Sequence, residues 1–129
     1  MTITYRSSWG TPRRRRSGGV RVSGHEGGPR VDVAVLGDRA GRRATLLQFS
    51  TVFCAPCRAT RRVLAEVAAM VPGVTHVEID AEAHLALVRA LEIEATPTTL
   101  VLDADRRVVR RAAGVPRKAD VIAALGEAI

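Results

Sequence analysis

The chain has 129 residues, of which 47% are hydrophobic and 3% aromatic, and its formal net charge is +7. This length and apolar content fit one domain with a core of aliphatic side chains. The two cysteines are too few for a disulfide scaffold, and a closed zinc site would need two of the three histidines as well. The counts favour a redox pair, and we expect neither a metal nor a cofactor.

The positive charge is concentrated at the N-terminus. Residues 1–30 contain seven arginines, four of them at Arg13–Arg16, against one glutamate, whereas residues 31–129 hold 13 basic and 12 acidic side chains. We expect residues 1–30 to form a disordered basic tail and residues 31–129 to fold. The arginine run is best interpreted as a solvated tail, with contact to an anionic lipid or nucleic acid as the alternative. The nearly neutral domain itself gives no support to nucleic-acid binding.

Apolar runs long enough for a signal peptide or a membrane span are not found in the sequence. As written, the chain is therefore expected to be soluble and cytoplasmic. A dense arginine cluster ahead of a domain is also typical of the cytoplasmic side of a membrane anchor. A membrane-anchored form is the expectation if an upstream segment is missing.

Hydrophobic periodicity predicts eight elements from residue 31 onward. The alternation of Val31, Val33 and Val35 predicts a first strand, and Gly37–Gly41 a turn. The order β-β-α-β-α-β-β-α belongs to the α/β class and predicts a mixed central β-sheet flanked by helices. The later predicted elements are a strand at 46–49, a helix from Cys57 ended by Pro72-Gly73, a strand at 74–79, a helix from Asp80 to about Leu91, strands at 98–102 and 108–111, and a final helix opened by Pro116 that buries Val121, Ile122 and Leu125.

The motif Cys54-Ala55-Pro56-Cys57 follows a buried strand and opens an amphipathic helix. At a helix N-terminus, unpaired N–H groups and the dipole stabilise a thiolate, which favours Cys54 as the nucleophile. A spacing of three residues brings Cys57 within bonding distance as the resolving thiol. Pro56 stiffens the first turn, where its missing N–H costs nothing. Two inert buried thiols are the weaker alternative.

Several segments resemble the thioredoxin-like family. They are residues 48–58 around the cysteines, Val77-Glu78-Ile79-Asp80, Ile93-Glu94-Ala95-Thr96-Pro97-Thr98 and Gly114. The resemblance implies a thioredoxin-like fold and a protein-disulfide reductase with a disulfide-containing protein as substrate. It also implies a reductase or another dithiol as electron donor, and we expect a monomer. The early pair of strands, with no first helix between them, looks closer to the TlpA-like branch of this family than to a housekeeping thioredoxin.

By the same resemblance, Pro97 is cis, packs opposite Cys54 and presents the backbone of Thr96 to the substrate as an edge strand. The sequence departs from the family pattern at three positions. Phe53 replaces a tryptophan, Ala55 replaces a glycine, and Gln48 replaces a buried aspartate.

Gln48 can form hydrogen bonds but cannot titrate, so it cannot take the proton of the resolving thiol. His76 aligns with a lysine that often partners the aspartate. One hypothesis is that His76 faces the back of the cysteine pair and partly replaces the acid, although an ordinary hydrogen-bonded histidine is favoured. Arg58 is equally well explained as stabilising the Cys54 thiolate or as a solvated residue.

The sequence therefore favours a thiol–disulfide oxidoreductase that reduces protein disulfides. One alternative keeps this chemistry in a membrane-tethered reductase for exported proteins or cytochrome maturation. The other is a non-catalytic redox sensor or binding module, since fold alone does not decide function.

Overall fold

The computed structural model describes residues 28–129, so the Arg13–Arg16 run lies outside the described residues. Its centre is a four-stranded sheet with the strand order β2-β1-β3-β4. The central strand β1 pairs with β2 in parallel and with β3 antiparallel, and β3 pairs antiparallel with β4. The predicted mixed sheet is thus confirmed. The strands are β1 (Ala44–Ser50), β2 (Val74–Asp80), β3 (Thr98–Asp103) and β4 (Val108–Ala113).

Four α-helices accompany the sheet within the described residues. The longest, α2, follows the cysteine motif and ends before Pro72-Gly73, where Gly73 takes a φ of +86° that favours glycine. The helices are α1 (Val33–Leu36), α2 (Ala55–Met70), α3 (Leu85–Ala90) and α4 (Lys118–Ala128). None of them is long and apolar enough to cross a membrane.

The alternating side chains of β1 divide the core into two clusters, one on each face of the sheet. Leu47 and Phe49 belong to the cluster that Leu36, Leu100 and the partly buried residues of α3 complete. The opposite cluster joins the sheet to α2 and α4, and contains Ala44, Leu46, Leu64, Val67, Val101, Val121, Ala124 and Leu125.

The predicted first strand over Val31–Val35 is wrong, because the chain forms the helix α1 from Val33 onward. Asp32 caps the helix by accepting a hydrogen bond from the Ala34 amide at 2.9 Å. Val31 is buried, but Val33 is 53% exposed, so the valines do not share one buried strand face. The strand pair that suggested the TlpA-like branch is therefore absent from residues 28–129.

Two later helices also differ from their predictions. The helix expected from Asp80 to Leu91 is divided into a 3₁₀ turn at Ala81–Ala83 and α3, because His84 between them is not helical. In α4, Val121, Ala124 and Leu125 form the buried stripe, whereas Ile122 is 40% exposed and was wrongly predicted to be buried. The i, i+3, i+4 spacing of that stripe turns Ile122 away from the sheet.

Candidate active site

Cys54 and Cys57 form a disulfide with their Cα atoms 5.2 Å apart. Cys54 is the N-cap of α2, and its sulfur accepts a hydrogen bond from the Cys57 amide at 3.2 Å. Cys57 is only 1% exposed, while Cys54 is partly accessible. An incoming sulfur can therefore reach Cys54, and Cys57 lies behind it.

Pro56 occupies the first turn of α2, as the sequence predicts for a residue without an N–H donor. Its carbonyl accepts a hydrogen bond from the Thr60 hydroxyl at 2.9 Å, and Thr60 is fully buried. The turn that carries both cysteines is thus fastened to the body of the helix.

The loop before β3 lies beside the segment that leads to the cysteines. The Thr96–Pro97 peptide bond is cis, the geometry that the resemblance implies. The hydroxyls of Thr51 and Thr96 are 3.4 Å apart, which links the two loops. The Pro97 carbonyl accepts a hydrogen bond from the Gly114 amide at 2.9 Å, and Gly114 has a φ of +87°.

Gln48 is completely buried beneath the disulfide and connects it to β2. Its amide nitrogen donates to the Cys57 carbonyl and to the Ser50 hydroxyl, both at 2.9 Å. Because a carbonyl only accepts, this contact fixes the orientation of the Gln48 amide. The Gln48 oxygen then accepts from His76 Nε2 at 2.8 Å, which places the imidazole proton on Nε2.

His76 is half-buried, and its hydrogen bond ends on Gln48. Burial lowers its pKa below the ordinary value of 6.5; Glu78 partly opposes this effect, and Arg61 adds to it. The imidazole is therefore neutral at neutral pH. Its Nε2–H donates to Gln48, which in turn donates to the Cys57 carbonyl.

Glu78 is a site residue that the sequence analysis missed. Its carboxylate accepts a hydrogen bond from the Ser50 hydroxyl at 2.7 Å. It also accepts two hydrogen bonds from the Arg61 guanidinium, at 2.7 and 2.8 Å. Mainly through Arg61, these contacts hold its pKa below 4.5 against the opposing effect of burial. The shared strand face of His76 and Glu78 was visible in the sequence, but the partner Arg61 was not.

The surface around the disulfide combines exposed apolar and charged side chains. Phe53, which replaces the family tryptophan, is 96% exposed and Val52 is 65% exposed. Arg58 is also exposed, on the first turn of α2. An open pocket beside this surface is lined by Ser50, Thr51, Val52, Glu78 and Asp80. Among residues 28–129, no cluster of three or more His, Cys, Asp or Glu side chains is arranged to hold a metal ion.

Comparisons with known proteins agree on one fold. A family profile described as Thioredoxin matches residues 37–127. The chain is 26% identical over 72 residues to Thioredoxin H5 of Oryza sativa subsp. japonica; the match covers 56% of this chain and 53% of that protein. The chain thus spans about half the length of this curated relative.

Solved structures give the same result. The thioredoxin of Fasciola hepatica matches with a TM-score of 0.60 and 18% identity, covering 74% of this chain and 89% of that one. Thioredoxin NaTrxh from Nicotiana alata matches with a TM-score of 0.58 and 22% identity, covering 67% of this chain and 74% of that one. At this level of identity these structures show the fold.

Proposed function

The chain belongs to the thioredoxin family, and we propose that it is a thiol–disulfide oxidoreductase that reduces disulfides in other proteins. The observation that carries this proposal is the asymmetric disulfide at the start of α2. Cys54 is accessible and accepts a backbone hydrogen bond, while Cys57 is buried directly behind it. A pair arranged in this way can attack a partner with one sulfur and release it with the other.

In the reduced protein, the Cys54 thiolate attacks one sulfur of a substrate disulfide. The substrate S–S bond breaks, its other sulfur leaves as a thiolate, and a mixed disulfide forms on Cys54. The Cys57 thiolate then attacks the Cys54 sulfur, and the second substrate sulfur leaves. Two electrons have passed to the substrate, the departing thiolates take up protons, and the protein is left in the disulfide form described above.

Each neighbouring residue supports one part of this cycle in our proposal. The Cys57 amide stabilises the Cys54 thiolate at the helix N-terminus. Thr96, ahead of the buried Pro97, offers its backbone to an extended substrate segment. Gln48 holds the carbonyl of Cys57. The acid–base role suggested for His76 stays a prediction and is restricted to Nδ1, because Nε2 donates to Gln48.

The partners in this proposal are a disulfide-containing protein as substrate and a reductase or small dithiol as electron donor. We propose that the chain acts as a monomer in the cytoplasm. The support for this setting is the cysteine usage: a lone redox pair without structural disulfides suits a reducing compartment. Acting there, the cycle runs towards reduction of the substrate.

Cys57→Ser tests the proposal by removing the resolving sulfur. Reduced Cys57→Ser mixed with a disulfide-containing protein should accumulate a covalent complex on Cys54 that dithiothreitol releases. Cys54→Ser is the matched control and should form no such complex. The unmodified protein should reduce the same substrate repeatedly when dithiothreitol is supplied. A single oxidation without turnover would identify a redox sensor instead and would refute the enzymatic proposal.

A further inference from the structure

A path of hydrogen bonds runs from the Glu78 carboxylate to the cysteine pair. It passes through the Ser50 hydroxyl and the Gln48 amide to the Cys57 carbonyl, and each of its three bonds is shorter than 3 Å. Glu78 therefore lies within about 10 Å of the first turn of α2, a distance at which charges still interact at 0.1 M salt. Gln48 and Ser50 are 0% and 5% exposed, so part of this interaction passes through protein, while the 27% exposure of the Glu78 side chain lets solvent screen the rest.

The charged groups around this path come from α2 and β2. Arg58, Arg61 and Arg62 on α2 are all exposed, and Arg61 forms a hydrogen-bonded ion pair with Glu78. On β2, His76 is neutral, so it adds no charge at neutral pH, and Asp80 is exposed at the end of the strand. On β3, Thr98 and Thr99 cannot titrate. Glu78 is the carboxylate bonded into the path, with Arg61 as its opposite charge.

We propose that Glu78 sets the reduction potential of the Cys54–Cys57 pair and that Arg61 balances it. This inference rests on the proposed oxidoreductase function. A negative charge beneath the cysteines disfavours their thiolates, so it favours the disulfide and makes the dithiol a stronger reductant. The Arg61 cation acts in the opposite sense. Without Glu78, the positive charge of Arg61 on α2 would be unpaired. It would then stabilise the cysteine thiolates and raise the reduction potential of the disulfide.

Two substitutions with opposite expected signs test this inference. Each protein is equilibrated at pH 7 with defined ratios of reduced and oxidised dithiothreitol. In this exchange the reductant loses two electrons and two protons and closes its own disulfide, while Cys54 and Cys57 become thiols. For Glu78→Gln, the equilibrium constant for reduction of the protein should rise about threefold, and for Arg61→Gln it should fall by a smaller factor, because the Arg61 side chain is more exposed and its charge is more strongly screened. The pKa of the Cys54 thiol, followed by thiolate absorbance, should fall in Glu78→Gln and rise in Arg61→Gln.

The molecule supplies a matched control. Arg110 on β4 donates two hydrogen bonds to the Glu127 carboxylate on α4, as Arg61 does to Glu78. Neither Arg110 nor Glu127 is hydrogen-bonded to Gln48 or Ser50. Glu127→Gln and Arg110→Gln should therefore leave the equilibrium constant unchanged. Ser50→Ala keeps both charges of the Arg61–Glu78 pair and breaks the path, so it should not reproduce the shift of Glu78→Gln.

The possible outcomes separate the two proposals. Shifts in the same direction in Glu78→Gln and Arg61→Gln, or no shift in either, would overturn the inference, because loss of structure moves both variants in one direction. A shift in Ser50→Ala equal to that of Glu78→Gln would overturn it too, by assigning the effect to hydrogen bonding. If the unmodified protein fails to exchange disulfides with dithiothreitol, the proposed function itself fails. Thermal unfolding of every variant verifies that each one is folded.

Discussion

On the face of β1 that packs against α2, the two ends of the strand make different kinds of contact. At the start of β1, Ala44 and Leu46 pack against aliphatic side chains of α2 and α4 and are fully buried. At its end, on the same face, Gln48 and Ser50 are also buried but carry hydrogen bonds. One end excludes water by close packing, and the other encloses a satisfied polar network. The polar end lies beneath the cysteines. The apolar packing that stabilises the fold and the polar network that supports the cysteines are therefore adjacent but separate.

The largest effect should come from the apolar end. Leu46→Ala removes a fully buried side chain and leaves a cavity, so the free energy of unfolding should fall by about 2–5 kcal/mol. Urea unfolding measures this loss. At low temperature, where the variant is still folded, its disulfide exchange rate should match that of the unmodified protein.

Ile122→Ala is the control for that substitution, because Ile122 is 40% exposed on α4. Its effect on the free energy of unfolding should remain within about 0.5 kcal/mol. A comparable loss in both variants would contradict the assignment of Ile122 to the surface. A slower exchange in folded Leu46→Ala would show that the two ends of the interface are not separable.

Replacing the buried polar side chain of Gln48 by an apolar one should have an intermediate effect on the free energy of unfolding. Gln48→Leu keeps the approximate volume but leaves His76 Nε2 without its acceptor and the Cys57 carbonyl without this donor. Loss of these partners should lower the free energy of unfolding by about 1–3 kcal/mol. Release of a trapped substrate from Cys54 should also slow, because the turn that carries Cys57 is held less firmly. A variant as stable and as fast as the unmodified protein would show that the network is dispensable.

The apolar half of this interface could be predicted from the sequence, and the network could not. The nearly continuous apolar run Leu46-Leu47-Gln48-Phe49 predicts a buried strand, which requires only the local pattern. The same rule failed at Val31–Val35, because a single side-chain cap at Asp32 outweighed a short alternation. Side-chain hydrogen bonds to a backbone depend on the packed geometry, so periodicity does not reveal them.

The parts of the site that depend on residues close together in the sequence could be predicted from that sequence. The Cys54–Cys57 disulfide follows from three-residue spacing at a helix start. The position of the Thr96–Pro97 loop beside it required the resemblance to a known family. Arg61 and Glu78 are 17 residues apart on different elements, and only the packing of α2 on β2 brings them together. Their role in the network therefore became visible only in the structure.

The smallest predicted effect distinguishes the two ends by pH, because only the polar end contains a titratable side chain. The pKa of His76 is lower in the folded protein than its ordinary value of 6.5, so the unfolded chain binds the proton more tightly. The stability that neutral His76 contributes is present above pH 6.5 and is lost as the pH falls through 6.5 towards the folded pKa. Glu78 has its own window, because its contribution is lost only as the pH falls below 4.5.

Urea unfolding between pH 7.5 and 5.5 should show this loss, at about 1.4 kcal/mol per pH unit or less, the value for one proton. His76→Gln retains an amide donor for Gln48 but cannot titrate, so its stability should vary less over the same range. His84→Gln removes an exposed imidazole outside the network and tests whether the slope belongs to His76. A flatter curve in His84→Gln, with the slope retained in His76→Gln, would contradict a neutral His76 hydrogen-bonded to Gln48. The opposite result would place the pH-sensitive part of this interface at its polar end, two residues along β1 from the pH-insensitive packing of Leu46.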